Sequence, residues 1–115
     1  MPVERSQPAP GLAVITIDGE VDYANAHEIS DAVAAALVEW TPRTICVDLA
    51  SVVFMDSMGI SALITAYRAT TAAGASFAVV NPSRFTLTLL TVTGLVDVFG
   101  LGTQEDRLSG TAESA

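Results

Sequence analysis

Three short apolar runs rich in β-branched residues punctuate this chain, each separated from the next by a stretch patterned like a helix. That alternation most restricts what it can fold into. Residues 12–17 form the first run, and Asp18-Gly19 after it reads as a turn. A helix is predicted from residue 23 or 24 to 40, because Ile29, Val33, Ala36, Leu37 and Trp40 recur on one helical face. Asp22 is placed to cap its start, and Pro42 lies just past its end. Residues 44–49 form the second run, continued by Val52-Val53-Phe54-Met55. A second helix begins near Ser57, with Ile60, Leu63, Ile64, Tyr67 and Thr71 on one face and Gly74 as its stop.

Residues 76–80 make a third strand whose unbroken apolar character predicts cover on both faces. Phe85-Thr86-Leu87-Thr88-Leu89 alternates like a strand. A capping Asn81, Pro82 at the first helical position and Gly94 beyond the end together favour a helix. A last short strand is expected over residues 96–99 and a short helix from Thr103. Residues 1–10, with Pro2, Pro8 and Pro10, read as a flexible segment with room for at most a short strand around Val3. Residues 11–108 then form the domain, and 109–115 a disordered polar tail. Strands alternating with helices imply an α/β fold: a small, mixed, mostly parallel β-sheet with packed helices. One domain is expected, since 115 residues are too few for two cores.

Charge narrows the function. The formal net charge is -8, and the cations are five scattered arginines. Nucleic-acid binding needs cations massed toward phosphates, so no nucleic-acid partner is expected. A basic membrane-surface helix is excluded on the same ground, and no apolar run approaches the ~18 residues of a membrane span. No basic-then-apolar leader pattern opens the chain, so a cytoplasmic location is expected. Cys46, the single cysteine, lies in an apolar run and is expected in the core. One histidine and one cysteine make no metal-ligand set, and no Gly-rich phosphate loop is present, so no cofactor is expected.

In sheets of this kind, ligands and partners gather where strands end and helix N-termini point outward. Asp56-Ser57-Met58-Gly59 stands at such a junction. Asp and Ser are ordinary helix caps, yet a strongly apolar strand leads straight into them, Gly59 removes bulk from the first turn, and Met58 offers an apolar contact. A serine at a helix start also suits a phosphate, since the N-terminus favours an anion by ~0.3–1 kcal/mol when exposed. A catalytic role for Ser57 with His27 lacks support: the nucleophile elbow needs glycine two positions earlier, where this chain has Met55. No enzymatic activity is expected.

Gly19-Glu20-Val21-Asp22-Tyr23-Ala24, Phe54-Met55-Asp56-Ser57-Met58-Gly59-Ile60 and Thr93-Gly94-Leu95 resemble the STAS domain of bacterial anti-sigma factor antagonists, in the family's order and spacing. The resemblance implies a protein that binds an anti-sigma factor when unphosphorylated and so releases a sigma factor. It implies that the anti-sigma factor is a serine kinase that phosphorylates Ser57, and that a phosphatase, of PP2C type in this family, resets the switch. It implies partner contacts at Glu20, Asp22, Tyr23, Asp56, Met58, Gly59 and Ile60. Many phosphorylated members carry a second Ser or Thr after the phosphoserine, whereas this chain has Met58. That departure keeps open a second expectation, a non-phosphorylated adaptor or small-ligand sensor in a signalling or transport assembly.

Overall fold

A computed structural model describes residues 3–95 and Phe99. Four strands and three helices follow the order β1 (Val3–Ala9), β2 (Leu12–Val21), α1 (His27–Trp40), β3 (Thr44–Met55), α2 (Ser57–Ala72), β4 (Ser76–Val80) and α3 (Arg84–Val92). The sheet order is β1-β2-β3-β4, with β1 antiparallel to β2 and the remaining pairs parallel. The expected mixed, mostly parallel α/β sheet is therefore present. The strand expected over residues 96–99, apart from Phe99, lies outside the described residues, as do the helix from Thr103 and the tail.

Each parallel crossover passes through a helix, which closes the core against one face of the sheet. Ala13, Ile15 and Ile17 of β2 and Ile45, Val47 and Leu49 of β3 are fully buried beneath Ile29, Val33 and Ala36 of α1 and Leu63 and Ala66 of α2. The predicted face of α1 holds, with Leu37 and Trp40 packed at its margin. On α2 the buried position is Thr70, which donates to the Ala66 carbonyl, while the expected Thr71 is exposed. The reason is that Ala62 and Ala66 join the inward face, because α2 meets both α1 and the sheet and buries a wider stripe.

Several boundaries differ from expectation. β1 extends to Ala9 instead of ending near Val3, because Pro10-Gly11 closes a two-residue hairpin loop that pairs Ala9 with Leu12. Arg5 on β1 then reaches Glu39 at 2.6 Å and lies 5.3 Å from the Trp40 ring centroid, tying the strand to α1. β4 is not covered on both faces: Val79 is buried, while Phe77, Ala78 and Val80 are half-buried. α3 is a helix, but Ser83 rather than Asn81 caps it by accepting from the Thr86 N–H at 3.1 Å, which puts Arg84 at the first helical position and leaves Pro82 one residue before the cap. Asn81 instead has φ 55° and donates to Asp48. Gly94 does close α3, with the Gly94 and Leu95 N–H groups returning to the Thr91 and Leu90 carbonyls.

Cys46 falls on the sheet face opposite the main core and is half-buried. Burial pushes its thiol above the ordinary value, and the Asp48 carboxylate adds to the shift. No helix among the described residues is long and apolar enough to cross a membrane.

Candidate functional site

The C-terminal ends of β2 and β3 bring the site together. Asp18-Gly19 does not end β2, which continues through Val21. Gly19, at φ 92°, absorbs an irregularity in pairing that other residues would resist. Asp18 pairs with Ser51 and Gly19 with Val52, but Glu20 pairs with Phe54 and Val21 with Met55. β3 therefore carries an extra residue at Val53, and another before Ser51. Inward side chains of β3 accordingly run 45, 47, 49 and then 52 and 55. The two bulges explain why β3 reads from sequence as two apolar pieces. They also leave Val53 and Phe54 both facing outward, just before the junction with α2.

The junction is locked by its backbone. The Asp56 N–H donates to the Val21 carbonyl at 3.1 Å, joining the end of β2 to the start of α2. Asp56 is the N-cap: its Oδ1 accepts from the N–H groups of Met58 at 2.9 Å and Gly59 at 3.1 Å. Capping therefore falls to Asp56 and leaves Ser57 out of it, exposed in the first turn. Asp56→Ala is expected to cost about 1 kcal/mol, as for other lost caps, and Asp56→Asn much less. Thermal unfolding followed by circular dichroism measures both; equal loss in the two variants would mean that charge, not capping, matters.

Asp22 does not cap α1, which begins at His27 behind an Ala26 that makes no side-chain cap bond. Instead Asp22 builds the turn at residues 22–26, its Oδ1 accepting from the Ala24 N–H at 3.0 Å and its carbonyl from the Ala26 N–H at 2.8 Å. Asn25, which sequence reasoning passed over, pins this turn. Its Oδ1 accepts from the Asp22 N–H at 2.9 Å, and its Nδ2 donates to the Glu20 carbonyl at 3.0 Å. An Asn following a strand-end Asp is a recognisable turn signal.

Around Ser57 the expected residues divide into two groups. Glu20, Tyr23 and Met58 are exposed, and Asp22 and Asp56 are half-buried. Gly59 and Ile60 are buried and form the floor of the site. The bulk that Gly59 removes from the first turn is cleared toward the interior. A Cβ there would lie 2.4 Å from Met55 Cγ and 2.9 Å from Val21 Cγ1. Beside Met58 runs an open groove of about 190 Å³, lined by Tyr23, His27 and Ser61 among others. Among the described residues no hydrogen bond joins His27 to Ser57, and no cluster of three metal-ligating side chains occurs.

The site can present a hydroxyl at a helix N-terminus, framed by carboxylates and two exposed apolar side chains. The Met58 and Gly59 N–H groups beside Ser57 are already engaged by the Asp56 carboxylate.

The sequence model of the STAS domain family matches residues 5–114. No curated protein matches the chain. Among solved structures, the anti-sigma factor antagonist SpoIIAA in its unphosphorylated form superposes with a TM-score of 0.75 at 23% identity, over 95% of this chain and 97% of that one. An anti-sigma factor antagonist from Mycobacterium paratuberculosis gives a TM-score of 0.75 at 25% identity, over 95% and 92%. The murine anion transporter Slc26a9 matches at a TM-score of 0.68 and 23% identity, over 80% of this chain and 15% of the transporter. The fold, the motif-bearing junction and the family match agree, and the chain belongs to the STAS domain family.

Proposed function

We propose that this protein is an anti-sigma factor antagonist that binds an anti-sigma factor of serine-kinase type and is released when Ser57 is phosphorylated. The observation that carries the reading is the placement of Ser57: exposed, first in α2, and relieved of capping by Asp56. The likeness to two anti-sigma factor antagonists supports it. A serine kinase brings its acceptor hydroxyl to the γ-phosphate of bound nucleotide, beside a catalytic carboxylate. A protruding serine meets that requirement, and the chain itself acts as substrate and ligand rather than as catalyst. Transfer then adds roughly -1.5 to -2 charge at the point facing the nucleotide and that carboxylate. The complex is thereby weakened at its centre, and a separate phosphatase resets it.

Mixing the protein with ATP and each purified serine-kinase anti-sigma factor of the same genome tests the reading by intact mass. One added phosphate is expected, mapped to Ser57 and missing from Ser57→Ala. A phosphate that maps elsewhere would overturn the assignment.

A second reading, an adaptor or ligand-sensing STAS module within a larger assembly, is favoured by Met58 and by the likeness to the domain in Slc26a9. It predicts binding indifferent to every change at Ser57.

A further inference from the structure

Near Ser57 the structure exposes an aromatic pair of which only Phe54 belongs to the sequence motifs. Phe54, at the end of β3, stacks on Phe85, in the first turn of α3, with ring centroids 5.8 Å apart and planes 28° from parallel. Despite the stack, Phe54 is 41% and Phe85 51% exposed, and neighbouring Val53 is 70% exposed. Intramolecular packing leaves about half of each ring facing solvent. Isolated apolar residues on a surface need no explanation, but a stacked pair with an adjoining valine forms a contiguous patch. The bulge at Val53 creates it, by turning two successive β3 side chains outward.

We infer that the Phe54/Phe85 pair is an apolar anchor for a protein partner whose contact surface has a basic rim, docked on the end of the sheet that carries Ser57. This rests on the function proposed above and names the part of the partner surface that lies beside the phosphate acceptor.

Two observations select the occupant. The first is continuity: Phe54 precedes Ser57 by three residues and lies opposite Glu20 in the sheet, so a body covering Ser57 reaches the pair within about 11 Å of chain. The second is charge. Asp18, Glu20 and Asp56 border this end of the sheet, and Arg84 is the cation beside the pair. A second copy would oppose these carboxylates with its own, each chain carrying a net charge of -8. The chain's own residues 103–115 hold Glu105, Asp106 and Glu113 against Arg107, with Leu108 their one large apolar side chain, and make a poor cover for an acidic rim. A basic-rimmed partner meets both the rings and their border. Aromatic side chains in such centres carry a disproportionate share of interface energy.

The test is calorimetric titration of the same purified anti-sigma factor kinases into wild type, Phe85→Ser, Phe85→Leu and Ser57→Asp. Phe85→Ser is expected to weaken binding about thirtyfold, Phe85→Leu less than tenfold, and wild-type affinity to fall as salt is raised. Should Phe85→Ser fail to fold by circular dichroism, Phe54→Thr gives the same reading, since a β-branched residue suits the strand. Wild-type affinity in the Phe variants, with loss in Ser57→Asp, would overturn the anchor and leave the proposed function standing. Loss in the Phe variants with Ser57→Asp unaffected would retain the anchor and overturn the phosphate switch. Binding of no kinase by wild type overturns both. A dimer abolished by Phe85→Ser would identify a second copy as the occupant and overturn the basic partner.

Discussion

Ser57→Asp is expected to weaken binding of the anti-sigma factor by about three decades while leaving the fold intact. The carboxylate would face the kinase's catalytic carboxylate and the phosphates of its nucleotide. Two unit charges 4 Å apart interact at ~4 kcal/mol for an effective dielectric of 20, and ~1.4 kcal/mol is tenfold in affinity. A phosphate, with its larger charge, does at least as much. Ser57→Ala removes the acceptor but adds no charge, so it is expected to bind like wild type. Because Asp56 does the capping, neither change removes a cap bond. Titration of the purified kinase into the three proteins decides the matter: equal affinity for wild type and Ser57→Asp would remove charge as the basis of release. In the proposed complex the repulsion would act over the serine and the Phe54/Phe85 anchor with its acidic border beside it, so attraction at the rim and repulsion at the centre would coexist on one surface.

The second large effect is on stability. Gly59→Val is expected to cost about 3 kcal/mol, the upper part of the range for overpacking a core. Its Cβ alone would lie 2.4 Å from Met55 Cγ and 2.9 Å from Val21 Cγ1, before the valine methyls are added. Met55 can rotate in part, but Val21 is β-branched and held by its pairing with Met55 across the sheet. The few tenths of a kcal/mol gained by replacing a helical glycine do not offset this. For a domain of this size the melting temperature falls by roughly 12 °C, at about 4 °C per kcal/mol. A melting curve that superposes on wild type would show that Met55 yields freely and that the glycine is not needed for packing.

These two neighbours, Ser57 and Gly59, also show how legible the site was. Ser57 could be singled out because a helix-start serine after an apolar strand is a local pattern. What the glycine does was not legible, because Val21 lies far from it in sequence and meets it through the β2/β3 pairing. The same holds for β3. A bulge changes the inward spacing from two residues to three, so periodicity breaks at residues 50–51 although the strand does not. Asp22 looked like a helix cap because a cap and a turn-forming Asp share the same local chemistry; the Asn25 bonds make it a turn.

The sequence by itself determined the alternation of strands and helices, the α1 face, the closure of α3 by Gly94 and the place of the candidate serine. Each depends on side chains within a few residues of one another, where periodicity and capping act. Only the tertiary structure decided the register of β2 on β3, the inward use of Gly59, and the exposure of Phe54 against Phe85. Those depend on which distant segments meet, and on bulges whose position is set by what both strands must bury.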